Sequence, residues 1–400
     1  MILLSKNSDK EQTMYVLTLK KGEEKRADKH PWIFANTVQK IEGKDSQGSV
    51  AKVVTQTGRL VGYGFINHAS KIIVRLLTRD ETPIDEKLFL DRVLKAKAQR
   101  EALGYDDNYR AVFSESDGLP GLIVDKYRDH LSVQILTLGM DVRRDLIVDV
   151  LKRAFSPACI YERSDVASRQ KEGLEERKGV LFGTLDKDLT ITENGLTLAV
   201  DLENGQKTGY FLDQKETRAA VTRYAKGKKM LDLFCNQGGF SLNAAKGGAK
   251  EVTAVDVSET ALAQVAKNAA LNGFTQIKTE KADVFAYLRE LKKTLRRFDL
   301  IVLDPPAFTK SSDTVKEGYK GYLTTNAEAL SVLEKGGVMF TCSCSRFMTI
   351  PLFLKMVEEA AAIAKVNVKL LEIKTQAPDH ASLVGLDDAL YLKTVVLMRV

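Results

Sequence analysis

The hydrophobic positions change period twice along this 400-residue chain. After a polar start, residues 14–88 carry short apolar runs, MYVLTL (14–19), SVAKVV (49–54), LVGYGFI (60–66) and KIIVRLL (71–77), separated by turn residues. That spacing predicts a small β-barrel. Residues 89–190 open on a helix-like stretch, LFLDRVLKAKAQREAL. They continue through strand-like YRAVFSES, GLIVDKY and HLSVQILT, a helical VRRDLIVDVLKRAF and a strand-like ACIYERS, which predicts a small α+β domain. The charged run SRQKEGLEERK (168–178) reads as a solvated loop or linker. From 191 to 400 apolar β-rich runs alternate with helical stretches: TLAVDL, a helix opened by DQKETR (213–218), KMLDLF, EVTAVDVS, FDLIVLD, GGVMFT, a long helix near 352–364, and final strands at 366–374 and 390–400. Alternation of this kind predicts an α/β domain with a mainly parallel, Rossmann-like sheet.

Four hundred residues fit two or three domains. Sixty Lys and Arg against 53 Asp and Glu leave the chain mildly basic, with the excess in the first and last segments. This suits a polyanionic partner and equally an ordinary basic enzyme. Four cysteines and four histidines show neither zinc nor disulfide spacing, so no metal site is expected. The polar amino end and the lack of an apolar run of membrane-spanning length predict a cytoplasmic protein with no membrane partner. The sequence leaves the oligomeric state open, a homodimer included.

Candidate chemistry collects after the apolar runs of the last segment. DPPAF (Asp304–Phe308) and TCSCS (Thr341–Ser345) each follow one, and in an open α/β sheet such loops lie where ligands bind. A carboxylate on a proline-stiffened turn beside a thiol suits covalent attack on a ring that must first be activated. Upstream, KMLDLF leads into CNQGGF (Cys235–Phe240), whose glycines permit close ligand approach. Asp256, ending EVTAVD, suits a ribose diol; Asp283 suits an adenine amino group; Asp232 either orders the glycine loop or receives an ammonium. Each acid alone reads equally as a turn residue or helix cap. There is no G-x-G-x-x-G and no Walker lysine, so a nucleoside cofactor without phosphates fits best, namely S-adenosylmethionine.

Longer strings carry a resemblance: KGEEKRADKHPWIFA (21–35), SDGLPGLIVDKY (116–127), NGQKTGYFLDQKETR (204–218), LDLFCNQGGFS (231–241), DPPAF and SCSRFM (343–348). The chain resembles the class I large-subunit (23S) ribosomal RNA cytosine-5 methyltransferases that carry an N-terminal PUA domain. The resemblance implies a PUA RNA-binding barrel at 14–88, a middle domain at 89–190 and a Rossmann-like methyltransferase domain at 191–400. It implies S-adenosylmethionine as cofactor, held by Gln214, Arg218, Asp232, Phe234, Asn236, Gly238, Asp256, Ser258, Asp283 and Val284, with Arg218 on the cofactor carboxylate. It implies 5-methylcytosine formation with Asp304 holding the base. The family register, with Met348 four residues on, places the nucleophile at Cys344; Cys342 then reads as a small buried residue. Lys21, Lys25, Arg26 and Lys310 are the expected RNA contacts, and Trp32 is either a stacking platform or a core anchor. Two other readings stay open: methylation of a base nitrogen, which needs no thiol, and a non-catalytic RNA-binding assembly factor.

Overall fold

The computed structural model describes residues 14–309, 311–386 and 391–400. The chain divides into two compact units: Met1–Lys187 with Asp201–Phe211 and Asp379–Leu386, and Asp188–Val200 with Leu212–Pro378 and Asp387–Val400. Among the described residues, no helix is long and apolar enough to cross a membrane.

The first unit holds the expected N-terminal β structure, a six-stranded sheet whose central strands are Tyr15–Leu19, Val50–Val54, Leu60–Ile66 and Ile72–Thr78. Tyr15–Leu19 alternates buried and half-buried positions, the mark of a strand with one face on a core. A five-stranded sheet follows, with Asn108–Phe113, Leu122–Tyr127, His130–Ile135, Cys159–Ser164 and Arg177–Gly183 in reverse chain order across it. The helices Glu86–Ala102 and Arg144–Phe155 pack in the same part. Phe65 and Leu77 of the first sheet lie in one core cluster with Phe89, Tyr109 and Ile135 of the middle segment. The two segments therefore share a core.

The charged run at 168–178 is largely exposed, as expected of it, but two of its charges, Arg169 and Glu172, are buried. Ala167–Glu172 forms a short 3-10 helix, and Arg177 begins a strand. Arg169 is wholly buried, donating to Glu175 O at 2.6 Å and Asp141 Oδ1 at 3.0 Å. Glu172 accepts from Arg75 at 2.9 Å and from Ser70 at 2.7 Å. These charges read as surface because their partners lie far away in sequence. Trp32 joins the same network: its indole N–H donates to Glu115 at 2.7 Å, and the Arg75 guanidinium lies 5.2 Å from its ring. The half-buried ring acts as an anchor between segments.

The second unit is built on a seven-stranded sheet, labelled here β1 (Lys229–Leu233), β2 (Glu251–Asp256), β3 (Ile277–Lys281), β4 (Phe298–Leu303), β5 (Leu333–Ser343), β6 (Val368–Thr375) and β7 (Lys393–Arg399). Their spatial order is β3-β2-β1-β4-β5-β7-β6. β1 to β5 are parallel, and β7 runs antiparallel to both β5 and β6. The central strands are nearly all apolar because helices cover both faces: Leu231, Leu233, Ile301 and Leu303 are fully buried. The edge strand β3, IKTEK, is polar and largely exposed, as an unpaired edge must be. The chain order reverses between β1 and β4, which makes the carboxyl ends of these two strands the expected ligand crevice. Residue 390, placed in the last expected strand, lies outside the described residues, and β7 begins at Lys393.

Candidate active site

β1 delivers the chain into a turn that ordinary backbone avoids. Phe234 and Asn236 have φ of 62° and 48°, and Gly238 has φ of 79°. A side chain at Gly238 would meet the Val265 methyls at 3.0 Å, so glycine is required there twice over. Asp256, at the end of β2, holds the turn. It accepts from the Asn236 amide at 3.0 Å through one oxygen and from the Ser258 amide at 3.0 Å through the other. Ser258 in turn caps the helix Glu259–Leu271 by accepting from Ala261 N.

Asp232 lies one residue inside the end of β1 and is fully buried. One carboxyl oxygen accepts from both the amide and the hydroxyl of Ser241, at 3.0 and 2.6 Å, fixing the helix Gly239–Lys246 against the strand. The other oxygen, Oδ1, has no hydrogen-bond partner. Burial, together with repulsion from Asp304 and Asp256, pushes this carboxyl up to about 7. Gln214 Oε1 is a second buried acceptor without a partner. A buried polar atom left unpaired costs free energy, so two such acceptors fit a ligand that brings donors. The ammonium of S-adenosylmethionine is a donor of that kind, and the residues present fit the group.

Gln214 also reaches the other strand end. Its amide donates to Asp304 Oδ2 at 2.8 Å, while the Asp304 amide bonds Leu233 O at 3.2 Å across the β1–β4 seam. The neighbouring Asp213 accepts from the Tyr391 hydroxyl at 2.5 Å. The segment before the sheet is thus anchored to the DPPAF loop and to the residues leading into β7.

After β5 the chain turns through Cys344. Ser343 and Ser345, on either side of it, both bond the Tyr322 hydroxyl, at 3.0 and 2.8 Å. The Thr309 amide reaches Ser345 Oγ at 3.4 Å, linking this turn to the DPPAF loop. Lys393 donates to Ser345 O at 2.6 Å and to Met348 O at 2.7 Å. Of the four cysteines, Cys344 alone is not buried. Cys342 is fully buried inside β5, its sulfur accepting from Thr394 Oγ1 at 3.2 Å, and burial holds its thiol well above the usual range.

The sequence-predicted residues Gln214, Asp232, Phe234, Asn236, Gly238, Asp256, Ser258, Asp304 and Cys344 stand on loops and helix starts at the carboxyl ends of β1, β2, β4 and β5, or, for Asp232, just inside one, with Gln214 joined to that rim through Asp304. Phe234 meets Phe285 edge-on at 6.4 Å, and Phe285 meets Phe308 at 6.2 Å, so the row of rings continues to the DPPAF loop. Asp283 is exposed and caps the helix Val284–Lys293, accepting from Ala286 N at 2.9 Å, and Val284 is buried beside it. Arg218 is buried against Glu193 in a two-pronged pair with both bonds at 2.7 Å, so its guanidinium is already matched by a carboxylate. In the first unit Lys21, Lys25 and Arg26 are exposed, and Arg26 lies 4.5 Å above the Phe34 ring. Lys310 lies outside the described residues. Sequence reasoning missed Ser241, Tyr322 and Lys393. Only Lys393 carried a signal, as a charge at the head of the apolar run TVVLM.

Comparison with known proteins gives the family and the fold. The S-adenosylmethionine-dependent methyltransferase family matches residues 175–393, and the PUA-like domain matches residues 17–79. Ribosomal RNA large subunit methyltransferase I of Aeromonas hydrophila is 41% identical over 388 residues, covering 95% of this chain and 98% of that protein. The protein of the same name from Shewanella amazonensis is 42% identical over 388 residues, with the same coverage. Among solved structures, a chain from Streptococcus mutans assigned as an S-adenosylmethionine-dependent methyltransferase superposes with a TM-score of 0.82 at 22% identity, over 96% of this chain and 100% of that one. Another, solved in complex with SAH, gives 0.83 at 22% identity with the same coverage. At that identity the structures speak for the fold. With the family matched over more than half of its length, the chain belongs to the S-adenosylmethionine-dependent methyltransferases and carries a PUA-like domain at its amino-terminal end.

Proposed function

We propose that this protein methylates carbon 5 of a cytosine in large-subunit (23S) ribosomal RNA, with Cys344 as a covalent nucleophile. The observation that carries the reading is the placement of Cys344. It is the one cysteine not buried, it stands at the carboxyl end of β5, and its turn is tied to the Asp304 loop through Thr309 and Ser345. The relatives named ribosomal RNA large subunit methyltransferase I, at 41–42% identity over nearly the whole chain, support the ribosomal substrate.

Bound S-adenosylmethionine supplies an electrophilic methyl group. Asp232 and Gln214 would receive its donors through their unpaired oxygens, and Asp256 would accept from the ribose diol; Asn236, Gly238, Ser258, Asp283, Val284 and Phe234 would complete the surroundings. Carbon 5 of cytosine is a weak nucleophile. In the proposed step the Cys344 thiolate forms a bond to carbon 6, and the electron pair of the 5,6 double bond moves onto the ring, which makes carbon 5 reactive. Carbon 5 would take the methyl group from the sulfonium, whose S–CH3 bond breaks to leave the neutral thioether; carbon 5 then gives its proton to a general base or to water, the C–H pair re-forms the 5,6 double bond, and the S–C6 bond breaks to return the thiolate. Asp304 accepts from the amino group of the base and, once the ring nitrogen takes up a proton as the thiolate adds, from that N–H as well. Lys21, Lys25 and Arg26, exposed on the PUA-like domain, meet phosphates. A cytoplasmic address and a homodimer belong to the same reading; fractionation and sedimentation of the full chain test them.

The deciding experiment is covalent trapping. Target RNA containing 5-fluorocytosine should form a stable adduct with the wild-type enzyme in the presence of cofactor, because fluorine does not leave as a proton does. Nitrogen methylation gives no adduct, and a non-catalytic assembly factor gives neither adduct nor methylated RNA. Mapping modified nucleosides in RNA from cells with and without the protein identifies the base.

A further inference from the structure

Lys393 is buried at the head of β7, where its register partner on β5 is Ser343, the residue before Cys344. Its ammonium reaches over the strand end to two main-chain carbonyls of the following turn, Ser345 O at 2.6 Å and Met348 O at 2.7 Å. Tyr322 pins Ser343 and Ser345 through their hydroxyls. The backbone around Cys344 is therefore fixed by these two side chains, and the Cys344 side chain is left partly exposed. Burying an ammonium against carbonyls is costly, and an apolar residue of the same length would brace β7 more cheaply. A charge kept in such a place calls for a use.

We propose that Lys393 is a positioning residue for the Cys344 thiol: it locks the turn through Ser345 and Met348, and its positive charge favours the thiolate that attacks the base. The inference rests on the reading of Cys344 as nucleophile. The charged and titratable groups near the thiol pull in opposite directions. Asp304 and Asp232 bear on the neighbouring Cys342 and oppose a second negative charge, and the Tyr322 phenol, itself pushed up by burial, stays neutral. Arg346, two residues on, lies with its guanidinium 5.1 Å from the Phe347 ring. Lys393 interacts electrostatically with Cys344; burial lowers the lysine to about 8, which leaves it mainly charged at neutral pH. The two groups titrate as a coupled pair.

The test uses full-length protein without RNA or cofactor. Alkylation of Cys344 by iodoacetamide is followed by mass spectrometry across pH, since the half-maximal pH reports the thiolate rather than access to it. In the wild type that midpoint should fall below about 8.5, the value of a free cysteine. Lys393→Met should raise it by about one unit or more, and Lys393→Gln, which keeps a donor for the carbonyls but no charge, should raise it as well. Both variants should lower kcat about tenfold or more while leaving S-adenosylmethionine affinity within twofold. A midpoint unchanged in folded variants overturns the proposal. Should neither variant fold, a wild-type midpoint at or above that of free cysteine overturns it alone. Because alkylation requires no substrate, its failure is separable from failure of the cytosine reading, which shows instead as absence of trapping by 5-fluorocytosine RNA.

Discussion

Gln214 donates its amide to Asp304 Oδ2 at 2.8 Å and leaves its own carbonyl oxygen without a partner. One side chain thereby links the carboxylate proposed to hold the base with the side proposed to hold the cofactor. Gln214→Ala should damage both. Loss of a hydrogen bond to a charged group costs about 1.5–3 kcal/mol, so base positioning should suffer roughly 10- to 100-fold in kcat/KM, with a smaller loss in cofactor affinity. Methyl-transfer kinetics and calorimetry on the same variant separate the two. An effect on neither would remove Gln214 from the site.

The proposed contact between Asp232 and the cofactor ammonium should give cofactor binding a pH dependence. Its carboxyl is pushed up to about 7 by burial, above its ordinary value of 3.8. As pH rises between these values the unfolded chain gives up this proton before the folded protein does, so the group's contribution to stability declines through the window and stays at its lower value above 7. A bound ammonium favours the anion. Binding near or below pH 7 should therefore release a proton, and affinity should climb between about pH 6 and 8. Calorimetry in buffers of different ionisation enthalpy counts that proton. Asp232→Asn should weaken binding and flatten its pH profile; a flat profile in the wild type would place the ammonium elsewhere.

Asp256→Ala should weaken S-adenosylmethionine binding by about 1–3 kcal/mol. Part of that loss is indirect, since the same carboxylate holds the Asn236 and Ser258 amides and so the left-handed turn at 234–238. A melting temperature lowered along with the affinity is expected. Unchanged affinity would exclude a ribose contact.

The strand ends were legible because two independent patterns coincide there: an apolar run that can only be a buried strand, and an acid or thiol immediately after it. Asp256, Asp304 and Cys344 satisfy both, and Asp232 stands one residue before the end of its strand. Lys393 and Tyr322 satisfy neither, because a lysine beginning a strand and a tyrosine within the helix Val315–Ser331 look like ordinary surface and core residues until the turn after β5 is seen resting on them. The two buried charges within the run at 168–178 were missed for a related reason. Arg169 and Glu172 are neutralised by Asp141 and Arg75, which no local window contains.

The shared core alters how the RNA contacts should be tested. Removing residues 1–88 would strip Phe65 and Leu77 from the cluster that holds Phe89 and Tyr109, so truncation would disturb folding as well as binding. Charge reversal at the exposed positions is cleaner. Lys25→Glu with Arg26→Glu should weaken ribosomal RNA binding and reduce the salt slope of log K by roughly 1–2, since each phosphate contact releases about one counterion. Cofactor affinity should not change. An unaltered salt slope would move the RNA path off this surface.

The two cysteines of TCSCS should part company under the same substitution. Cys342 is sealed within β5, and a serine there places a hydroxyl among apolar neighbours, with Thr394 available to hydrogen-bond it. A cost of about 1–2 kcal/mol in stability is expected, with turnover and 5-fluorocytosine trapping kept. Cys344 is partly exposed, so Cys344→Ser should leave the melting temperature and S-adenosylmethionine affinity nearly unchanged while abolishing both turnover and the adduct. Serine is close in shape, but its hydroxyl stays protonated where a thiol ionises, so the loss isolates nucleophilicity from packing. Full activity in the Cys344 variant would end the carbon-5 reading. Loss confined to the Cys342 variant would require β5 to open and expose a sulfur that now lies against Thr394.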